Sequence, residues 1–336
     1  MQVDSLIFSQ IGRGGFAVYP SGKEVSPWIQ NMMRDSDGSW RPRYGLETLR
    51  YFGYRIAMLG AAYQATDNKH YIYCLTQDSK LYKGAVTEIG LAVSTDMSAL
   101  IPLSNWSNEF KLGTVSVGTP PNPTATERRV AFSFPAFGVA DQQLYDQTGA
   151  KIQLVGPSDL KGVPWQHGNT AMVMQKTSIV FSDYGDAYTF PVLNSTPLWD
   201  IGEGIAGVYL SENVSYALGT TGIMSIQGDR PRTATYRVMT APSAAGPGAN
   251  NIVRCRDRVI YLSPGPSIYM IGSQGLQRID EPVFPLLSQY GDATNFSMFY
   301  DPLTDCCCVS PLVNNLINPS VPNETFLYHV GTGQWL

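Results

Sequence analysis

Charge is scarce in this chain. Only 15% of its 336 residues are Asp, Glu, Lys or Arg, against roughly 25% for an average soluble protein. The formal net charge is −4 and no long basic run occurs. A protein that grips nucleic acid by its phosphates needs clustered cations, so that class is disfavoured. Long apolar runs are missing as well: no stretch approaches the roughly 20 apolar residues that cross a bilayer as a helix. The first residues, Met1-Gln2-Val3-Asp4-Ser5, carry neither the basic region nor the apolar run of a secretory signal, so none is expected. Histidine is limited to His70, His167 and His329. None stands at ligand spacing from a cysteine pair, which leaves a zinc site unsupported. The five cysteines, Cys74, Cys255 and Cys306-Cys307-Cys308, include no CxxC. Adjacent cysteines on a strand alternate faces and cannot all be bridged within the chain, so free thiols in a reducing compartment are expected. No GxSxG elbow for a nucleophilic serine is present.

What is abundant is punctuation. The chain holds 32 glycines and 23 prolines, with an apolar fraction of 43%, which describes a globular chain of many reversals. Helical periodicity is confined to Val25–Met33, where Trp28, Ile29, Met32 and Met33 could share one face after Ser26-Pro27. Elsewhere short strands alternate with Gly, Asn and Asp turns. Lys69–Leu75 turns at Gln77-Asp78-Ser79 into Lys80–Lys83; Thr177–Ser182 turns at Asp183–Asp186 into Ala187–Phe190; Arg258–Leu262, Ser267–Ile271 and Leu276–Ile279 follow one another. A loose unit recurs about every 45–60 residues, as in Leu75–Gly84, Ala217–Gly228 and Pro264–Gly275. Repeats of this length, each of four short strands, point to an all-β fold, a β-propeller. At about 55 residues per blade the chain has six blades, with five or seven also open. We read 1–336 as a single domain, with a first strand and connecting segment over 1–50 and blades over 51–336. Pairing of the N- and C-terminal strands, Ser5–Phe8 with Phe326–Val330, is expected to close the ring.

Several motifs have plain explanations. Gly202-Glu203-Gly204-Ile205-Ala206-Gly207 matches GxGxxG, but a strand and a turn follow it where a dinucleotide site needs a helix. Gly12-Arg13-Gly14-Gly15 lacks the Lys-Ser/Thr of a phosphate loop. Asp183, Asp186, Asp200 and Glu203 could supply a glycosidase's carboxylate pair, yet Asp183 and Asp186 sit in a Tyr-Gly turn, where short acidic side chains bond the backbone. The densest basic-aromatic segment is Trp40-Arg41-Pro42-Arg43-Tyr44. Trp40, Arg41, Arg43 and Tyr44 are therefore the candidate interface residues, since guanidinium groups stack on aromatic faces. No catalytic residue, cofactor site or metal site is assigned.

The order of these segments resembles a known family. Asn31-Met32-Met33-Arg34 with Gly38, Arg43 and Gly45 resembles the N-terminal segment of phage tail structural proteins. Phe181-Ser182-Asp183-Tyr184-Gly185-Asp186 with Phe190-Pro191, then Gly204–Gly207 and Gly222–Gly228, is similar to that family's middle blades. Phe299-Tyr300-Asp301-Pro302 through Phe326–Val330 to Gly331-Thr332-Gly333-Gln334-Trp335 resembles its closing blade. The family is the tail hub or nozzle protein of short-tailed bacteriophages. The resemblance implies a virion structural protein and not an enzyme. It implies a homo-oligomeric ring, commonly a hexamer, below the portal and adaptor proteins. Such a ring extends the DNA ejection channel, lets genomic DNA pass without sequence-specific binding, and docks tail tip or fibre proteins. The place implied is the virion tail, assembled in the host cytoplasm. A carbohydrate-binding or carbohydrate-processing propeller is the alternative, since 19 tyrosines and 6 tryptophans could supply stacking platforms. A kelch-like adaptor would show more uniform repeats than these.

Overall fold

The structure, a computed structural model, describes residues 32–34, 40–42, 56–64, 68–76, 78–85, 91–96, 98, 113–118, 128–135, 142–146, 150–152, 160–198, 200–211, 213–239, 251–291, 296–302, 304–311 and 325–335. A hairpin joins β1 (Met32–Arg34) to β2 (Trp40–Pro42). The first sheet contains β3 (Ile56–Gln64), β4 (Lys69–Thr76), β5 (Lys80–Ala85) and β6 (Ala92–Asp96). The second contains β7 (Gly113–Gly118), β8 (Arg128–Pro135), β9 (Gln142–Asp146), β10 (Leu160–His167), β11 (Thr170–Gln175), β12 (Ser178–Phe181) and β13 (Ser195–Pro197). The third contains β14 (Gly204–Ser211), β15 (Val214–Gly219), β16 (Ile223–Gln227) and β17 (Thr235–Met239). The fourth contains β18 (Ile252–Cys255), β19 (Arg258–Leu262), β20 (Ile268–Gly272) and β21 (Gly275–Arg278). After the short helix α1 (Phe284–Leu287), the fifth contains β22 (Phe296–Asp301), β23 (Cys306–Pro311), β24 (Phe326–His329) and β25 (Gln334–Trp335).

Each sheet is an antiparallel meander in chain order; short turns join β10 to β11 and β18 to β19, and longer connections join β12 to β13 and β23 to β24. The class is all-β, of the β-propeller type, and its blades number five. The expectation of six assumed equal blades, whereas the second sheet absorbs seven strands. Its two halves, β7–β9 and β10–β13, meet through the single pair Leu160↔Gln142.

The chain forms two compact units. Thr48–Ala249 contains the first three sheets, and Met1–Glu47 with Asn250–Leu336 contains the hairpin and the last two. In the larger unit β11 is buried along its whole length. Its period of two sends Ala171 and Val173 toward Ile152, Ala187 and Phe190, and Met172 and Met174 toward Trp165, Ile179, Leu198, Met224 and Ile226. Burying each large side chain stabilises the fold by roughly 1.5–3 kcal/mol. In the smaller unit one core, including Ile260, Leu262, Phe296, Met298, Val309 and Trp335, joins the fourth sheet to the fifth.

Two expectations meet the described residues only in part. The last two residues of the anticipated helix Val25–Met33 open strand β1, where Met33 pairs with Arg41. The rest of that segment, Gly12–Gly15, and the ring-closing partner Ser5–Phe8 lie outside the described residues.

Candidate functional site

The smaller unit holds a cleft of about 550 Å³ between the edge of its fourth sheet and the β24–β25 turn. Arg258, the first residue of β19, reaches across: its Nη1 donates to the Val330 carbonyl at 3.1 Å and lies 3.6 Å from Met270 Sδ. Arg278, at the end of β21, forks onto Asp280, with Nε to Oδ1 at 2.7 Å and Nη2 to Oδ2 at 3.2 Å. Asp280 is fully buried, so this pairing is what makes its charge tolerable there. The same bond raises the Arg278 pKa further above its ordinary value, and the guanidinium also caps the Phe284 ring at 4.8 Å. Trp335 Nε1 donates to the Ile279 carbonyl at 2.6 Å, and its ring tilts against Tyr328 at 5.2 Å. Burial pushes the Tyr328 phenol up. The cleft thus has guanidinium donors and one free-standing carboxylate, Glu281, on its wall. Its aromatic rings are only 3% exposed, too buried to act as flat stacking platforms.

Behind the cleft, Asp305 ties four segments together. Its Oδ1 accepts from the Tyr300 hydroxyl at 2.8 Å and from Arg256 Nε at 2.8 Å; its Oδ2 accepts from the Gly331 amide at 2.9 Å. Its carbonyl takes the Val330 amide at 2.8 Å. The backbone is left-handed there, φ +53°, a conformation that short Asp tolerates because its side chain can bond locally. Nothing in the Thr304-Asp305-Cys306 string marks this role, since Arg256 and Gly331 are distant in the chain.

In the larger unit the counterpart is His167. Its Nδ1 meets Ser215 Oγ at 2.9 Å and its Nε2 meets the Gly228 carbonyl at 2.6 Å. A carbonyl only accepts, so Nε2 carries the proton and Nδ1 accepts from the serine. Burial holds the His167 pKa below its ordinary value, against the opposing pulls of the Gly228 carbonyl and Asp229.

The candidate interface segment is placed only in part. Trp40 and Arg41 lie on β2, opposite Arg34 and Met33, not in a loop; Arg43 and Tyr44 lie outside the described residues. Three of the four carboxylates weighed for glycosidase chemistry have partners. Asp186 accepts from the Tyr188 amide at 2.8 Å and from Thr189 Oγ1 at 2.7 Å, and Asp183 accepts from Asn194 Nδ2 at 3.1 Å. Glu203 pairs with Lys176 at 2.9 Å at the surface. The GxGxxG string is a packing device. A Cβ on Gly204 would run into the Met174 thioether, and one on Gly207 into the Trp165 ring.

No family model matches the chain, and no curated protein matches it. Similar solved structures are the WD40 repeats of RRP9, at 12% identity over 85% of this chain and 80% of that one, TM-score 0.47; virginiamycin B lyase from Staphylococcus aureus, at 11% over 81% and 85%, TM-score 0.45; and the Aleuria aurantia lectin, at 11% over 66% and 77%, TM-score 0.41. Likenesses this distant name neither a ligand nor a reaction for this chain.

Proposed function

We propose that the chain is a structural subunit of a ring in the tail of a short-tailed bacteriophage, a nozzle or hub that works by shape. The observation that carries the reading is the ordered run of family-like motifs from Asn31 to Trp335. The roles of those motif residues suit a stiff scaffold. Asp183, Asp186 and Asn194 knot the loop between β12 and β13, Gly204 and Gly207 admit large side chains from the neighbouring sheet, and Tyr328 and Trp335 pack in the core. A mildly acidic subunit, −4 per copy, suits a passage that DNA must slide through without adhering. Ring contacts of this kind are heterologous and repeat around an axis.

The test is the mass and shape of the purified full chain, by light scattering and negative-stain electron microscopy, with mass spectrometry of tails from the parent particle. Closed rings of several copies and presence in the tail are expected. A monomer at every concentration, missing from tails, overturns the reading. Trp165 and Trp335, 4% and 3% exposed, do not serve the carbohydrate alternative.

A further inference from the structure

We propose that the outer edge of β17 is a docking site for an extended acidic segment of a partner protein, taken up as an added strand. β17 closes the order β14-β15-β16-β17. It pairs with β16 without a break from Thr235↔Gln227 to Met239↔Ile223, and among the described residues no strand lies on its other side. Alternate residues of such a strand turn their amides and carbonyls outward, a ready template for another chain. Two of the usual blunting devices are missing: β17 contains no proline and no bulge.

The side chains around this edge select the partner. Arg230, Arg232 and Arg237 are all exposed, and Arg232 and Arg237 have no ion pair among the described residues. The only carboxylate between 225 and 239 is Asp229. A concentration of cations on a chain that is acidic overall calls for an acidic partner. Arg230 is braced over the Tyr184 ring at 4.6 Å, which fixes one end of the patch. The period of two then separates the faces of β17. Arg237 lies on one face with Thr235; Val238, 43% exposed, lies on the other beside Tyr236, which packs on the core. A strand added here meets Arg237 with one face and Val238 with the other, so the fitting segment alternates acidic and β-branched apolar residues. Three outer strands lack this combination: β6 carries Asp96 and no cation, β13 ends in Pro197, and the arginine of β21 is bound to Asp280. The site does not depend on the ring assignment.

The experiment uses the full chain and a fluorescein-labelled peptide of alternating glutamate and valine, followed by fluorescence anisotropy. Saturable binding is expected, weakened by roughly tenfold or more in Arg232→Glu/Arg237→Glu and falling as salt rises from about 0.05 to about 0.5 M. Lys151→Glu, an exposed site elsewhere, is expected to leave binding unchanged. A second peptide of the same charge, with the amides of one edge N-methylated, separates strand addition from attraction alone. It is expected to lose binding. Equal binding of the methylated peptide, equal binding of a lysine-valine peptide, or no binding to the unaltered chain overturns the proposal. Circular dichroism of the variants confirms that they fold.

Discussion

At the scale of single residues, steric room and hydrogen bonding explain positions that look like chemistry in the sequence. Gly207 faces a rigid indole, so Gly207→Ala forces Trp165 or a strand to move and is expected to cost about 1–3 kcal/mol in urea unfolding. Gly265→Ala, with nothing within 4 Å of the added carbon, is expected to change stability by less than about 0.5 kcal/mol. The GxGxxG string was legible as unfit for nucleotide binding, because the helix it needs is missing. The reason for its glycines was not legible, since Trp165 and Met174 arrive from another sheet. His167 makes a pH-dependent contribution. Its folded pKa lies below the ordinary 6.5, so between those two values the unfolded chain binds more protons and stability falls as pH drops. The denaturant midpoint is expected to hold above about pH 7 and decline toward about pH 5. In His167→Gln the decline is expected to be shallower.

At the scale of elements, sequence periodicity placed several neighbouring strands but not the return of Thr177–Ser182 through Ala187–Phe190, since β12 pairs with Ser195–Pro197 instead. Lys69–Leu75 with Lys80–Lys83, and Arg258–Leu262 with Ser267–Ile271, occur as β4 with β5 and β19 with β20. It served poorly where burial is two-sided. The run through β11 has no polar face, so its alternation is visible only as two separate cores. That arrangement makes β11 sensitive to truncation. Met172→Ala is expected to cost about 2–5 kcal/mol, read from the thermal or chemical midpoint. No strand is expected for the basic-aromatic segment, yet Trp40 and Arg41 lie on β2, paired with Arg34 and Met33, and the strand ends at Pro42. The arginines around β17 attracted no notice in the sequence, because an edge strand is defined by the neighbour it lacks.

At the scale of the whole molecule, the propeller class was legible from strand count and turn spacing, and the blade number is five, the lowest of the counts left open, because one sheet took seven strands. Asp305 and His167 were not legible as fasteners, since each joins segments that only the fold brings together. The buried thiols provide an internal clock for opening. All five cysteines are free and buried, so an alkylating reagent does not reach them in the closed state, and burial also pushes Cys74 up to about 11. Cys74 belongs to the larger unit and the other four to the smaller. Under pulsed alkylation, a mass gain of one label therefore reports unlocking of the first unit, and a gain of four reports the second. Simultaneous gain of all five would mean that the two halves breathe as one.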